Sequence, residues 1–140
     1  MNKNYGFSKE SRSTFPYYLA HVFAFNMVAL NLHVWKPKYL FHDWYKPWLM
    51  LIWKDYKKVQ TFHREHSNHH LECRKVHGWD DWAKKIDWTA MAIDWECSRF
   101  TKQASPLTAR EEAMDKINNN HFYTRAIETY LLPTLDKLGL

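Results

Sequence analysis

Glycine is nearly missing from this chain, with three in 140 residues. That excludes collagen-like, glycine-linker and glycine-repeat architectures. Cysteine is as sparse: Cys73 and Cys97 are too few for a disulfide framework, and neither belongs to a Cys-x-x-Cys motif. A reduced, cytoplasmic setting is therefore expected. No internal repeat, low-complexity tract or strand-like alternation is visible. The scarcity of turn residues and the 46% hydrophobic content against 25% charged point away from a disordered chain and toward helices. At 17.0 kDa there is room for one core and no second domain. We expect a single all-α domain over 1–140, a bundle of five or six helices with residues 1–13 flexible.

What the chain has in excess is nine histidines and eight tryptophans. Charge is unevenly placed. Residues 1–77 carry 12 Lys/Arg against 5 Asp/Glu, whereas residues 78–140 carry 8 against 10. A basic half suits a phosphate-bearing ligand, a nucleic acid or an anionic membrane, and equally a solvated lysine-rich surface. Phe15 to Leu32 is long and apolar enough to suggest a membrane span. However, His21, Asn26 and Asn31 interrupt it, and polar groups in lipid are costly without partners. No small-residue cleavage site follows it. A core helix with one inward histidine fits better, so no membrane partner is expected.

Along the chain, Ser13 or Thr14 caps a first helix that Pro16 helps to start and that runs to about Leu32. Pro37 and Pro47 then confine His42 and Asp43 to a short element between two breaks. From Trp48 a helical pattern runs to about His77, ended by Gly78. Ile52, Tyr56, Val59, His63, His66 and His70 fall on one stripe at 100° per residue. If that helix is unbroken, His70 faces the stripe and His69 does not; a break at Ser67-Asn68 would re-aim both. Asp80 or Asp81 caps the next helix, on which Asp87 and Asp94 share a side. Pro106 marks a turn, and Thr108 with Glu111 has capping-box spacing before a helix from about Ala109. A last helix from about His121 to Leu138 is interrupted by Pro133.

The ordered set His21, His42-Asp43, His63 with His66, His69 and His70, then Asp94, is a set of metal ligands. Imidazole and carboxylate suit Zn²⁺, Mn²⁺ and Fe. Each piece alone is weak, since a lone histidine is more often a satisfied core residue. Together they count for more, because Asp94 lies among Ala92, Ile93 and Trp95 and an unpaired buried carboxylate is expensive. A bound cation relieves it.

This order resembles the HD superfamily of metal-dependent phosphohydrolases, whose signature is His…His-Asp…Asp on a helical bundle. His21, His42, Asp43 and Asp94 match it, and Lys46 resembles the lysine that follows the pair by three residues. His63, His69 and His70 resemble the additional ligands of the two-metal branch. The chain is also similar to a phage and bacterial family of unknown function, through HDWYKP at 42–47, HREHSNHH at 63–70, DWECS at 94–98 and HFYT at 121–124. The resemblance spans about residues 21–135. It implies one or two divalent transition metals (Mn, Zn, Fe, Co or Ni) and metal-activated water attacking a phosphoester. A nucleotide is the expected substrate. Asp43 and Lys46 would be the catalytic residues, and Lys46, Arg64 and Lys57 would hold phosphate oxygens.

Two other classes remain open. Some HD proteins resemble di-iron oxygenases that use the same ligands. A non-catalytic nucleotide- or nucleic-acid-binding protein would use Trp35, Trp44, Trp48 and Trp53 interleaved with lysines. Trp48 and Trp53 lie in so apolar a run that core packing is expected for them instead.

Overall fold

The computed structural model describes Ser8, Arg12 and residues 14–73, 79–101, 107–119 and 123–140. The expectations for the other residues of 1–13, and those for His77, Gly78, Pro106 and His121, lie outside the described residues. So do those for the Asp80 and Asp81 side chains. The fold is all-α, with no strand among the described residues.

Helix α1 spans Phe15–Asn31. Thr14 caps it by accepting from the Tyr17 amide at 3.4 Å, and Pro16 sits in its first turn, where no amide partner is needed. It closes through His33, whose φ of 59° lets the Val34 amide donate back to Ala29 O at 3.0 Å. A 3₁₀ turn, Pro37–Phe41, leads to His42 and Asp43. Helices α2 (Lys46–Trp53) and α3 (Tyr56–His66) follow, then a second 3₁₀ turn, Leu71–Cys73. Helices α4 (Trp79–Lys85), α5 (Trp88–Thr101) and α6 (Ala109–Asn119) come next. The last, α7 (residues 124–138), joins Thr124–Ala126 and Leu132–Leu138 through a π-helical segment, Ile127–Leu131. The interruption expected near Pro133 thus takes the form of a widened turn just before it.

Seven helices among the described residues exceed the expected five or six because two long patterns are each divided. The 48–77 pattern breaks at Lys54, left-handed at φ 52°, and restarts at Asp55, whose carboxylate accepts from the Lys58 amide at 3.2 Å. Ile52 therefore leaves the histidine stripe and is 72% exposed. The helical pattern expected after Asp80 or Asp81 breaks at Asp87, whose Oδ1 accepts from the Ala90 amide at 3.0 Å and caps α5. Asp87 consequently does not share a helix with Asp94. The Thr108–Glu111 capping box is present in both directions, each bond 3.2 Å.

Helix α5 lies between two apolar clusters. Ala90, Ile93 and Cys97 pack on Phe25, Val28 and Ala29 of α1. Met91 and Ala92 pack toward α6 and α7, on Ala113, Ile127 and Leu131. Buried Glu96 of α5 accepts from the Ala109 amide at 2.8 Å, tying the start of α6 to it. Helix α2 contributes nothing to either cluster: none of its residues is buried, and Trp48 is 61% exposed. The expectation that Trp48 is a core residue fails because an eight-residue helix bounded by Tyr45 and Lys54 stands at the surface beside a cavity. Among the described residues, no helix is long and apolar enough to cross a membrane.

Candidate metal centre

Four chain segments converge on the space between α1, α3 and α5. On α1, Asn26 donates to Val22 O at 2.8 Å and to Tyr39 O at 2.9 Å, while accepting from Trp35 Nε1 at 2.8 Å. One buried amide thereby ties the 3₁₀ turn to α1, three residues before His42. The His42 ring then stacks on Phe25 with centroids 3.8 Å apart. Asp43 follows in the left-handed region at φ 56°, where a side chain is strained. That conformation turns its carboxylate inward, and the residue is buried. At the end of α3, Ser67 is extended rather than helical, and the Asp87 amide donates to Asn68 O at 2.8 Å. The 67–70 turn is therefore fastened to the start of α5.

The side chains meet in two adjoining groups. In the first, the donor atoms of His21, His42, Asp43 and Asp94 all lie within 4.8 Å of one another, and all four residues are buried. Asp94 Oδ1 is 3.0 Å from His21 Nε2 and 3.3 Å from His42 Nε2; those two nitrogens are 3.3 Å apart. Asp43 Oδ2 is 3.3 Å from His42 Nε2 and 3.7 Å from His21 Nε2. In the second, His63, His69 and His70 converge within the same limit. His63 Nε2 is 2.8 Å from His70 Nε2, and Asp43 Oδ1 is 3.4 Å from both His63 Nε2 and His69 Nε2. Asp43 stands between the groups and turns one oxygen to each.

The residues fit a divalent transition metal on two counts. Donors held about 2.0–2.1 Å from one ion in tetrahedral array stand roughly 3.3 Å apart, and the first group's separations of 3.0–3.7 Å bracket that value. Moreover, Asp43 Oδ1 and His69 Nε2 are buried without a hydrogen bond. Native interiors rarely leave such atoms unsatisfied.

Electrostatics keep the two carboxylates and the second group's imidazoles in ligand form. Burial would raise the Asp43 carboxyl, but Lys46, His42, His63 and His69 outweigh it and hold it well below the usual carboxylate range. Burial likewise opposes ionisation of Asp94, and hydrogen bonds from His21 and His42 prevail. Burial lowers His63 and His70 well below the ordinary imidazole range, and lowers His69 to about 4, with Asp43 opposing in each case. These three imidazoles are neutral near pH 7, with a lone pair to give.

Of the residues singled out from sequence, His21, His42, Asp43, His63, His69, His70 and Asp94 are brought together. Lys46 joins them, its Nζ 3.2 Å from Asp43 Oδ2. His66 does not. It is exposed, stacks on Phe62 and bonds through Nδ1 to Phe62 O at 2.9 Å. Of the two readings open for 63–70, the break holds: the extended Ser67 ends α3 and re-aims both His69 and His70. Lys57 and Arg64 are exposed on α3 and take no part in the ion pairs around Asp43 and Asp94. Sequence reasoning missed Tyr45 and Ser67. Both bond to His63 Nδ1, Ser67 Oγ at 3.0 Å, and to each other, which aims His63 Nε2 at Asp43. Tyr45 lies inside the HDWYKP string, so its position was visible although its role was not.

Among the described residues, cavities open onto the cluster from two sides. One of about 430 Å³ is lined by His42, Asp43 and His69 together with Lys38 and Asp87. The other, about 690 Å³, meets it at His21 and Lys46. Comparison of the chain with protein-family models, curated proteins and solved structures finds no match.

Proposed function

We propose that the protein is a metal-dependent phosphohydrolase of the HD type, acting on a small phosphorylated compound such as a nucleotide or a related phosphoester. The observation that supports it is Asp43, whose two oxygens face two separate sets of imidazoles, so that one carboxylate can serve two neighbouring ions. His21, His42, Asp43 and Asp94 would hold one ion; His63, His69 and His70, with Asp43, the other. When bound, Mn²⁺, Zn²⁺, Fe²⁺, Co²⁺ or Ni²⁺ supplies Lewis acidity for phosphoryl oxygens and lowers the pKa of water from about 15.7 toward 7.

The chain's own groups do the rest. Asp43 and Asp94 are ionised and the second-group imidazoles neutral, so no proton must leave before these residues act as ligands. Tyr45 and Ser67 hold His63 in one orientation. Lys46 brings three donors and a point charge to the cavity wall, which suits a phosphate oxygen. Cys73 and Cys97 are buried and form no disulfide, in keeping with a cytoplasmic setting.

The test is metal content of untagged protein, paired with a phosphoester panel. Nucleoside mono-, di- and triphosphates, cyclic nucleotides and an aryl phosphodiester are assayed with Mn²⁺, Co²⁺ and Ni²⁺. Turnover that is lost in Asp43→Ala and weakened in Lys46→Ala, with helical content intact, is the expected result. Stoichiometric metal without turnover on any phosphoester would overturn the hydrolase reading. Bound iron with colour would then favour the oxygenase.

A further inference from the structure

The cavity of about 690 Å³ lies between α1, α2 and α3 and is in the size range that encloses a whole small-molecule ligand, about 300–1,000 Å³. Its walls are Phe15 and Tyr18 from α1, Trp48 and Leu51 from α2, Val59 from α3, and Trp44 from the turn after Asp43. The charged residues lining it are Arg12 and Lys46, both positive, and no carboxylate is among its described lining. Arg12 Nε is buried without a hydrogen-bond partner. His21, a member of the first ligand group, belongs to the same wall.

These features select one kind of occupant. Trp48 and Leu51, 61% and 68% exposed, offer apolar surface that the fold itself does not cover. The donor left unpaired at Arg12 calls for negative charge on the ligand, and Lys46, paired with Asp43 at 3.2 Å, adds a second cationic contact on the same wall. A nucleobase could stack here, yet its edges need matching donors and acceptors. Gln60 on this wall has one amide N–H committed to Tyr56 Oη at 2.6 Å, so a base edge would meet few matching groups among walls that are otherwise mostly aromatic and aliphatic.

We propose that this cavity binds the apolar body of an amphiphilic anion, an alkyl or prenyl phosphoester, with its head against Lys46 and Arg12 and its tail along Trp48 and Leu51. That the head is a phosphoester rests on the hydrolase reading; that the body is apolar rests on the cavity walls.

Binding is measured on the protein as purified, by calorimetry, with n-alkylphosphonates of two, six and ten carbons, whose carbon–phosphorus bond resists hydrolysis. Release of phosphate from the matching alkyl phosphates is followed separately, all below their micellar concentrations. Affinity should rise about threefold to fourfold per added methylene that enters the cavity. Leu51→Asp, at an exposed position, should flatten that dependence, whereas Lys46→Gln should weaken all three ligands alike. Equal affinity across the three lengths, or tighter binding of a nucleoside monophosphate than of decylphosphonate, would overturn the inference and leave the hydrolase standing if phosphate is released. Chain-length dependence with no phosphate released from any ester would sustain the cavity and overturn the hydrolase.

Discussion

His66, His69 and His70 fall within five residues of one another, yet two face the centre and one faces solvent. The difference arises at Ser67, which leaves the helical region and swings the next three residues back toward Asp43. His69→Ala and His70→Ala should each deplete metal from the second ligand group, while His66→Ala leaves metal content unchanged, as elemental analysis of untagged protein would show. Loss of metal in His66→Ala would mean that the exposed ring swings inward. His21, His42, His63 and Asp94 were legible in the sequence because each is a polar group in apolar surroundings, and Asp43 through its place beside His42. The choice among the three clustered histidines was not, since it turns on one residue's backbone angles. Nor was the role of Tyr45, because a tyrosine's sequence neighbours do not reveal which ring nitrogen its hydroxyl will meet.

Helix starts and stops were read well where a capping chemistry announces them, as at Thr14 and at Thr108 with Glu111. They were missed where a residue with no special signal takes the left-handed conformation. Lys54 ends α2 at φ 52°, and lysine carries no mark of that role. Glycine occupies such positions without strain. Lys54→Gly should therefore raise unfolding stability by about 0.5–1 kcal/mol, after the extra freedom it gives the unfolded chain is subtracted. Chemical denaturation of both proteins measures this. Lower stability in the glycine variant would show that the Lys54 side chain holds α2 against α3. The surface position of α2 could not be read from its composition, because an apolar helix of eight residues looks the same whether it meets a core or a cavity.

Across the molecule, the ligands come from α1, the turn after Phe41, the end of α3 and α5, whereas α6 and α7 rest on the other face of α5. Metal binding should stabilise those two halves unequally. Chelation should speed amide exchange in α1, α3 and the 42–43 segment while leaving α6 and α7 protected, as hydrogen-exchange mass spectrometry would report. Uniform acceleration would indicate that the whole bundle opens as one unit. Acid should act through the same centre. In the chelated protein the folded state keeps His63, His69 and His70 neutral below their ordinary 6.5, His69 to about 4, while the unfolded chain takes up those protons. Stability from these groups is complete above about pH 6.5 and is lost as pH falls from there toward 4. Asp43 and Asp94 are depressed instead, so their contribution is lost only below the ordinary carboxylate value of 3.8. The melting temperature of the chelated protein should decline from pH 6.5 to 4 and more steeply beyond; a flat profile over the first interval would show that the imidazoles protonate without unfolding.

The left-handed backbone at Asp43 sets folding against function at a single position. Folding alone would favour glycine there, since no side chain would be strained and no carboxylate buried. In chelated protein, Asp43→Gly should melt higher than Asp43→Ala, by about 0.5–1 kcal/mol of stability once glycine's extra freedom in the unfolded chain is subtracted, and neither should retain metal. Selection for thermal robustness in the absence of metal would be expected to discard Asp43 early, and with it whatever chemistry the centre performs.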